Sequence, residues 1–195
     1  LLILFARELL QAHPGAVIIS EVKCSQTLFD EIAKHGGKPI MWKAGHSLLK
    51  TKMKETKAKL AGEMSGHMFF ADRYYGYDDG IYASLRLAEL LARGPKPLSA
   101  LLENVPRMVS TPEIRVDCPD EKKFLIAKKA SDFFRQHYPI IVVDGARVQF
   151  PEGWGLIRAS NTQPALVLRF EAGTKAKLDE YRAIIEQKLQ ELQRG

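Results

Sequence analysis

Ala16-Val17-Ile18-Ile19-Ser20-Glu21 is a short apolar run rich in β-branched residues, the composition of a buried strand. Ser25 follows as a candidate helix cap, with Leu28, Phe29 and Ile32 on one face of a helix that Gly36-Gly37 ends after His35. Pro39-Ile40-Met41-Trp42 gives a second strand, and a turn at Ala44-Gly45 leads into a helix from His46 or Ser47 to Thr56. Upstream, Leu1 to Ala12 reads as the end of an amphipathic helix stopped by His13-Pro14-Gly15. Strand and helix alternate with short connections, which predicts an α/β three-layer domain with a mostly parallel sheet.

Further along, the apolar pieces Leu60-Ala61 and Met68-Phe69-Phe70 flank Gly62-Glu63-Met64-Ser65-Gly66-His67. Asp78-Asp79-Gly80 then opens a long helical pattern, with Asp78 or Asp79 as N-cap and Ile81, Leu85, Ala88, Leu91 and Ala92 as its buried stripe. Gly94-Pro95-Lys96-Pro97 breaks the pattern, a short helix is expected over Leu98 to Glu103, and Pro106 follows. The first domain is therefore set at residues 1–98, a linker at 99–109 and a second domain at 110–195. In that second half Ile114-Arg115-Val116 alternates like a strand and Glu121 to His137 reads as a helix. Asp144-Gly145 is a hairpin signal between Ile140–Asp144 and Val148–Phe150. Trp154 to Ile157 and Ala165 to Phe170 supply further strands, and a closing helix from about Thr174 to Leu192 buries Leu178, Tyr181, Ile185, Leu189 and Leu192. Strands gathered between flanking helices predict a smaller α+β domain with an antiparallel sheet.

Composition narrows the function classes. The 195 residues are 46% hydrophobic and 27% charged, an ordinary globular balance. No apolar stretch approaches the ~20 residues needed to span a bilayer, so no membrane partner is expected. Leu1 to Phe5 lacks a charged leader and a cleavage site, which argues against a signal peptide. A start on Leu1, which reads as mid-helix, suggests a piece of a longer protein. Cys24 and Cys118 are too few and too far apart for a disulfide framework or a zinc site, so two reduced thiols in a cytoplasmic protein are expected. The net charge of +6 favours anionic partners. Lys50, Lys52, Lys54, Lys57 and Lys59 alternate with Leu49, Met53 and Leu60 at roughly helical spacing and read as a solvated helix face. They lack the interleaved aromatics of a single-strand binder, so nucleic acid is the alternative partner and not the expected one.

Two loops carry the chemistry. Between Gly62 and His67, two glycines bracket a carboxylate and a hydroxyl with an imidazole beyond, a set able to bind a polyhydroxylated ligand and move a proton. The same residues also suit an ordinary solvated turn. Lys23 and His46 sit after successive predicted strands, as Glu63 does, and ligands of open α/β sheets bind at those strand ends. The second loop, Arg158-Ala159-Ser160-Asn161-Thr162-Gln163-Pro164, offers a guanidinium fork, hydroxyls and carboxamides without a negative charge. That is the composition of a phosphate cradle, or again of a polar turn. No P-loop, dinucleotide fingerprint, zinc-protease motif or nucleophile elbow is present, and no carboxylates are spaced to hold Mg²⁺.

Val22-Lys23-Cys24, Lys43-Ala44-Gly45-His46-Ser47, Gly62 to His67 and Arg158 to Thr162 together resemble the α-D-phosphohexomutases, in particular their bacterial phosphomannomutase/phosphoglucomutase branch. The resemblance covers the whole chain but only the last two of that family's four domains. It implies that Glu63, Met64 and Ser65 form a sugar-binding loop and that Lys23, His46 and His67 face the phosphosugar. His67 or Lys23 would then assist proton transfer. Arg158, Ser160, Asn161 and Thr162 match the loop that grips the phosphate not being transferred. The family reaction exchanges hexose 1-phosphate and hexose 6-phosphate, of mannose or glucose, through a bisphosphorylated sugar. The phosphoserine and the Mg²⁺-binding aspartates belong to the two other domains, so no metal ligands are expected here and this chain alone is expected to be inactive. A phosphoglucosamine branch is the nearest alternative; Met64 favours the hexose branch.

Overall fold

Val17–Glu21, Leu60–Gly62 and Met68–Phe70 are buried along nearly their whole length, so both faces of the sheet they form must be covered. The computed structural model describes residues 1–194. Its first compact unit runs from Leu1 to Pro106 and its second begins at Arg107. The first contains α1 (Leu2–Ala12), β1 (Val17–Glu21), α2 (Gln26–Lys34), β2 (Lys38–Trp42), α3 (His46–Thr56), β3 (Leu60–Gly62), β4 (Met68–Phe70) and α4 (Gly80–Arg93). The sheet order is β2-β1-β3-β4; β1 is parallel to β2 and β3, while β4 runs back antiparallel to β3. Ile18, Leu60 and Phe70 point to one face, where they pack with Leu9, Leu28 and Ile32 of α1 and α2. Ile19, Ala61 and Phe69 point to the other face and pack with Leu49 and Met53 of α3. This is the expected three-layer α/β arrangement, and it gathers the C-terminal ends of three parallel strands along one rim.

The caps follow the side chains that supply them. Ser25 Oγ accepts from Thr27 N at 3.2 Å at the start of α2. At α4 only Asp79 caps, accepting from Tyr82 N at 2.9 Å. The buried stripe of α4 also differs from the expectation. Ile81 and Leu85 are exposed, and Tyr82, Ala83, Leu87 and Leu90 face the core beside buried Arg86. Helix hydrophobicity alone could not find this face, because its centre is an ion-paired guanidinium. Arg86 donates to Asp72 at 2.9 Å and to Glu8 at 2.7 Å and lies 4.6 Å above the Phe70 ring. The helix expected over Leu98 to Glu103 shrinks to a single 3₁₀ turn at Leu98–Ala100. Arg7 holds the chain beyond it to the first unit by donating to Leu101 O and Asn104 Oδ1.

The second unit contains β5 (Val109–Ser110), β6 (Ile114–Asp117), α5 (Asp120–Phe134), β7 (Ile140–Ile141), β8 (Ala146–Phe150), β9 (Gly153–Ala159), β10 (Ala165–Ala172) and α6 (Lys175–Arg194). Every strand pair is antiparallel, in the order β5-β10-β9-β8-β7 with β6 also on β10. Val148, Ile157, Leu168 and Phe170 build a core with Ile126, Phe134, Leu178, Tyr181 and Ile185 of α5 and α6. On the strands themselves, Arg147 lies 3.7 Å over the Trp154 ring, whose indole N–H donates to Glu171 at 2.9 Å.

Candidate functional site

Gly62 to His67 form the turn between β3 and β4. Glu63 N donates to His67 O at 2.9 Å and Gly66 N to Glu63 O at 3.0 Å, closing the turn with Gly66 at φ +97°, where a side chain would be strained. Two buried carboxylates fix this turn to the sheet. Glu63 Oε1 accepts from Gly45 N at 2.8 Å, which ties it to the start of α3. Glu21, the last residue of β1, accepts from Met64 N at 3.1 Å. Its second oxygen is buried without a partner, and burial pushes this carboxyl above its ordinary value. Lys23 Nζ lies 3.6 Å from Glu21 Oε1, so Lys23 and Met64 share one anchor. Ser65, at the tip, is exposed.

His46, the first residue of α3, and His67 stand with ring centroids 4.2 Å apart. His67 Nδ1 donates to Asp78 Oδ2 at 2.8 Å, which places its proton on Nδ1 and leaves Nε2 to accept. His46 Nδ1 is 3.5 Å from the same oxygen and its Nε2 is 3.6 Å from Glu63 Oε2. The imidazoles are 41% and 45% exposed, so the pair is open to a ligand. Asp78 reads in the sequence only as part of a helix start, and its place beside the two imidazoles comes from the fold. A doubled aspartate needs only one member as cap. Asp79 fills that role and also accepts from Tyr74 Oη at 2.7 Å, and the Tyr82 N–H holds its carboxyl below the usual range. Asp78 is thereby spare.

The lysine run also departs from expectation. Helix α3 ends at Thr56, Lys57 takes a left-handed conformation and Leu60 belongs to β3. Lys50, Lys54, Lys57 and Lys59 line a groove of about 500 Å³ together with Tyr75 and Tyr77, whose rings stack at 5.8 Å. Aromatics absent from the local sequence are thus supplied by the segment before α4.

In the second unit Arg158 is not part of a loop: it belongs to β9 and pairs with Val167. The β8–β9 register brings Asp144 beside it, and Arg158 Nη2 lies 3.1 Å from Asp144 Oδ2. The expected cradle without negative charge therefore has a carboxylate at its base. Gly145, at φ +83°, allows this approach, because a Cβ there would stand 2.2 Å from Ile157 O. Ser160 is buried and accepts from Thr162 N at 3.3 Å and Gln163 N at 3.1 Å, shaping the turn that exposes Asn161 and Thr162. Lys123 of α5 donates to Gln163 O at 3.0 Å from below.

Among the described residues, His46, His67 and Asp78 form the one group able to hold a metal ion. Two imidazoles and a carboxylate do not suit Mg²⁺, which takes oxygen ligands in octahedral geometry. Cys24 and Cys118 are both reduced and buried. No helix among the described residues is long and apolar enough to cross a membrane.

Residues 1–108 match "Phosphoglucomutase/phosphomannomutase, alpha/beta/alpha domain III", and residues 113–188 match "Phosphoglucomutase/phosphomannomutase, C-terminal domain". A phosphomannomutase/phosphoglucomutase of Pseudomonas syringae pv. tomato is 48% identical over 193 residues, covering 98% of this chain and 42% of that protein. A phosphoglucomutase of Neisseria gonorrhoeae is 46% identical over 192 residues, covering 95% of this chain and 42% of its own length. The crystal structure of a phosphoglucomutase/phosphomannomutase family protein from Burkholderia thailandensis superposes with a TM-score of 0.86 at 46% identity, covering all of this chain and 41% of that one. The chain thus spans about two fifths of the length of these relatives. It belongs to the phosphoglucomutase/phosphomannomutase family, of which it carries domain III and the C-terminal domain.

Proposed function

We propose that this chain is the substrate-recognition half of a cytoplasmic phosphohexomutase that exchanges hexose 1-phosphate and hexose 6-phosphate, of mannose, glucose or both, through a bisphosphorylated sugar. Glu63 and Ser65 bind the sugar hydroxyls, with Met64 beside them. His46 and Lys23 face the phosphosugar. His67 Nε2 accepts or returns the hydroxyl proton, with Lys23 supplying positive charge. Arg158, Ser160, Asn161 and Thr162 hold the phosphate that is not transferred. The phosphoserine, the Mg²⁺ that neutralises charge in transfer and the aspartates that bind it belong to N-terminal domains outside this chain. The chain alone therefore turns over no substrate.

The observation that carries this reading is the pre-set Gly62–His67 turn. Its Glu63 and Met64 are tied to Gly45 N and Glu21 while Ser65 and the His67 ring remain open, which is how a rigid first contact is built. The test is calorimetric titration of the purified chain with glucose 1-phosphate, alongside a coupled mutase assay. Binding without turnover is expected. Arg158→Ala should weaken binding about tenfold or more, the worth of a lost charge-assisted hydrogen bond, while Lys54→Ala leaves it unchanged. Turnover by the chain, or full affinity in Arg158→Ala, would overturn the reading.

A further inference from the structure

The two imidazoles and the carboxylate of Asp78 are arranged as a coordination site; the sugar-binding reading uses the His67–Asp78 hydrogen bond but does not require His46 to face the same carboxylate oxygen. One donor atom from each of His46, His67 and Asp78 lies within 4.8 Å of the other two. Both rings turn Nδ1 towards Asp78 Oδ2, at 3.5 Å and 2.8 Å. Ligand atoms around a tetrahedral zinc ion stand about 3.3 Å apart, as follows from bonds of about 2.0–2.1 Å. The His46–Asp78 separation is already near that value, and the His67–Asp78 pair needs only to open slightly.

The side chains behind the cluster fit the same purpose. A metal-bound histidine normally directs its other ring nitrogen at a carboxylate. With Nδ1 of His46 turned to Asp78, its Nε2 lies 3.6 Å from Glu63 Oε2, and Glu63 is itself anchored by Gly45 N. Asp78 is delivered by the segment that the Arg86–Asp72 pair and the Asp79 cap hold in place. Three protein ligands on an exposed rim leave a fourth position for water or a ligand atom, the open form of a zinc site.

We propose that His46, His67 and Asp78 bind one divalent transition-metal cation of the zinc class. The nitrogen-rich set selects Zn²⁺ or Co²⁺ and rejects Mg²⁺. On binding, neutral His67 gives its Nδ1 lone pair to the metal and carries its proton on Nε2, the reverse of the tautomer that Asp78 imposes in the metal-free chain. Metal occupancy and acceptance of a hydroxyl proton at Nε2 are then mutually exclusive, so the ion acts as an inhibitor of the site. The coordination itself stands whether or not the loop holds a sugar.

The test is calorimetric titration of the purified chain with Zn²⁺, with Co²⁺ as a spectroscopic probe. One equivalent should bind, Co²⁺ should show the intense visible bands of a four- or five-coordinate site, and excess Mg²⁺ should displace neither. His67→Ala and Asp78→Ala should each lower zinc affinity about tenfold or more, and His35→Ala, remote from the cluster, should leave it unchanged. Circular dichroism verifies that the exposed-site variants fold. Equal zinc affinity in wild type, His67→Ala and Asp78→Ala, or no binding at any zinc concentration that keeps the protein in solution, overturns the proposal. Loss of glucose 1-phosphate binding does not bear on these arms.

Discussion

Replacing Arg86 by Met tests whether the buried ion pair holds the first unit and the segment that delivers Asp78. Arg86 and Asp72 are each 4% exposed, with contacts at 2.9 and 3.0 Å, and Glu8 adds a third at 2.7 Å. Burial works to raise the Asp72 carboxyl, but hydrogen bonds from Arg86 and the Arg73 N–H outweigh it and hold it below its usual value of 3.8. Methionine keeps most of the apolar packing against Phe70 and removes the charge. Asp72 is then buried with Arg73 Nε, 3.6 Å away, as its remaining cationic neighbour among the described residues. Breaking a buried pair from one side costs about 3–5 kcal/mol. With a urea slope of about 1–3 kcal/mol/M, the midpoint of the first unit should fall by about 1 M or more. The chain has two tryptophans, Trp42 in the first unit and Trp154 in the second, so their two indole N–H signals in NMR report the units separately. The Trp42 signal should lose its native position early while that of Trp154 holds. A depressed acid stabilises the fold above its unfolded pKa, and that contribution disappears as pH falls through the folded value. The deficit should therefore shrink as pH falls below the ordinary Asp72 value of 3.8. A Trp42 midpoint within about 0.3 M of wild type, or a deficit independent of pH, would refute the reasoning.

Three further outcomes follow from the same geometry. Glu21→Gln should raise the melting temperature at about pH 8, because burial raises the Glu21 pKa above 4.5 and stability is lost as pH climbs through the folded value; near pH 4 variant and wild type should melt together, and a constant gap would contradict this. Gly145→Ala should destabilise the second unit by more than about 1 kcal/mol, since it combines φ +83° with a Cβ 2.2 Å from Ile157 O; the Trp154 indole should register the loss and Trp42 should not. Asp78→Asn should free His67 from its imposed tautomer, so that nitrogen-resolved NMR shows the Nδ1–H form falling towards the mixture of an untethered imidazole, and an unchanged tautomer would count against the role given to Asp78.

What was legible in the sequence was local. The β-branched run at Val17 to Ile19, the Ser25 cap and the glycine-rich turn after β3 each act through near neighbours, and each appears where the pattern placed it. The face of α4 was not legible, because Tyr82 stacks on Tyr74 and Arg86 neutralises Asp72, so polar and aromatic residues outcompete Ile81 and Leu85 for the interior. Asp78 beside His67 and Asp144 beside Arg158 are likewise products of tertiary approach and register. Lys23, His46 and Glu63 do follow β1, β2 and β3, as the strand pattern placed them. The buried carboxylate of Glu21 that ties Lys23 to Met64 read only as the end of a strand.

The most direct test of the central claim is a map of amide shifts in the chain on titration with glucose 1-phosphate, compared with inorganic phosphate and with free glucose. Glucose 1-phosphate should perturb both Gly62 to His67 and Ser160 to Gln163, phosphate only the second group and glucose only the first. Perturbation confined to the lysine groove around Lys54 and Tyr77, or the same shifts from phosphate alone at both loops, would contradict it.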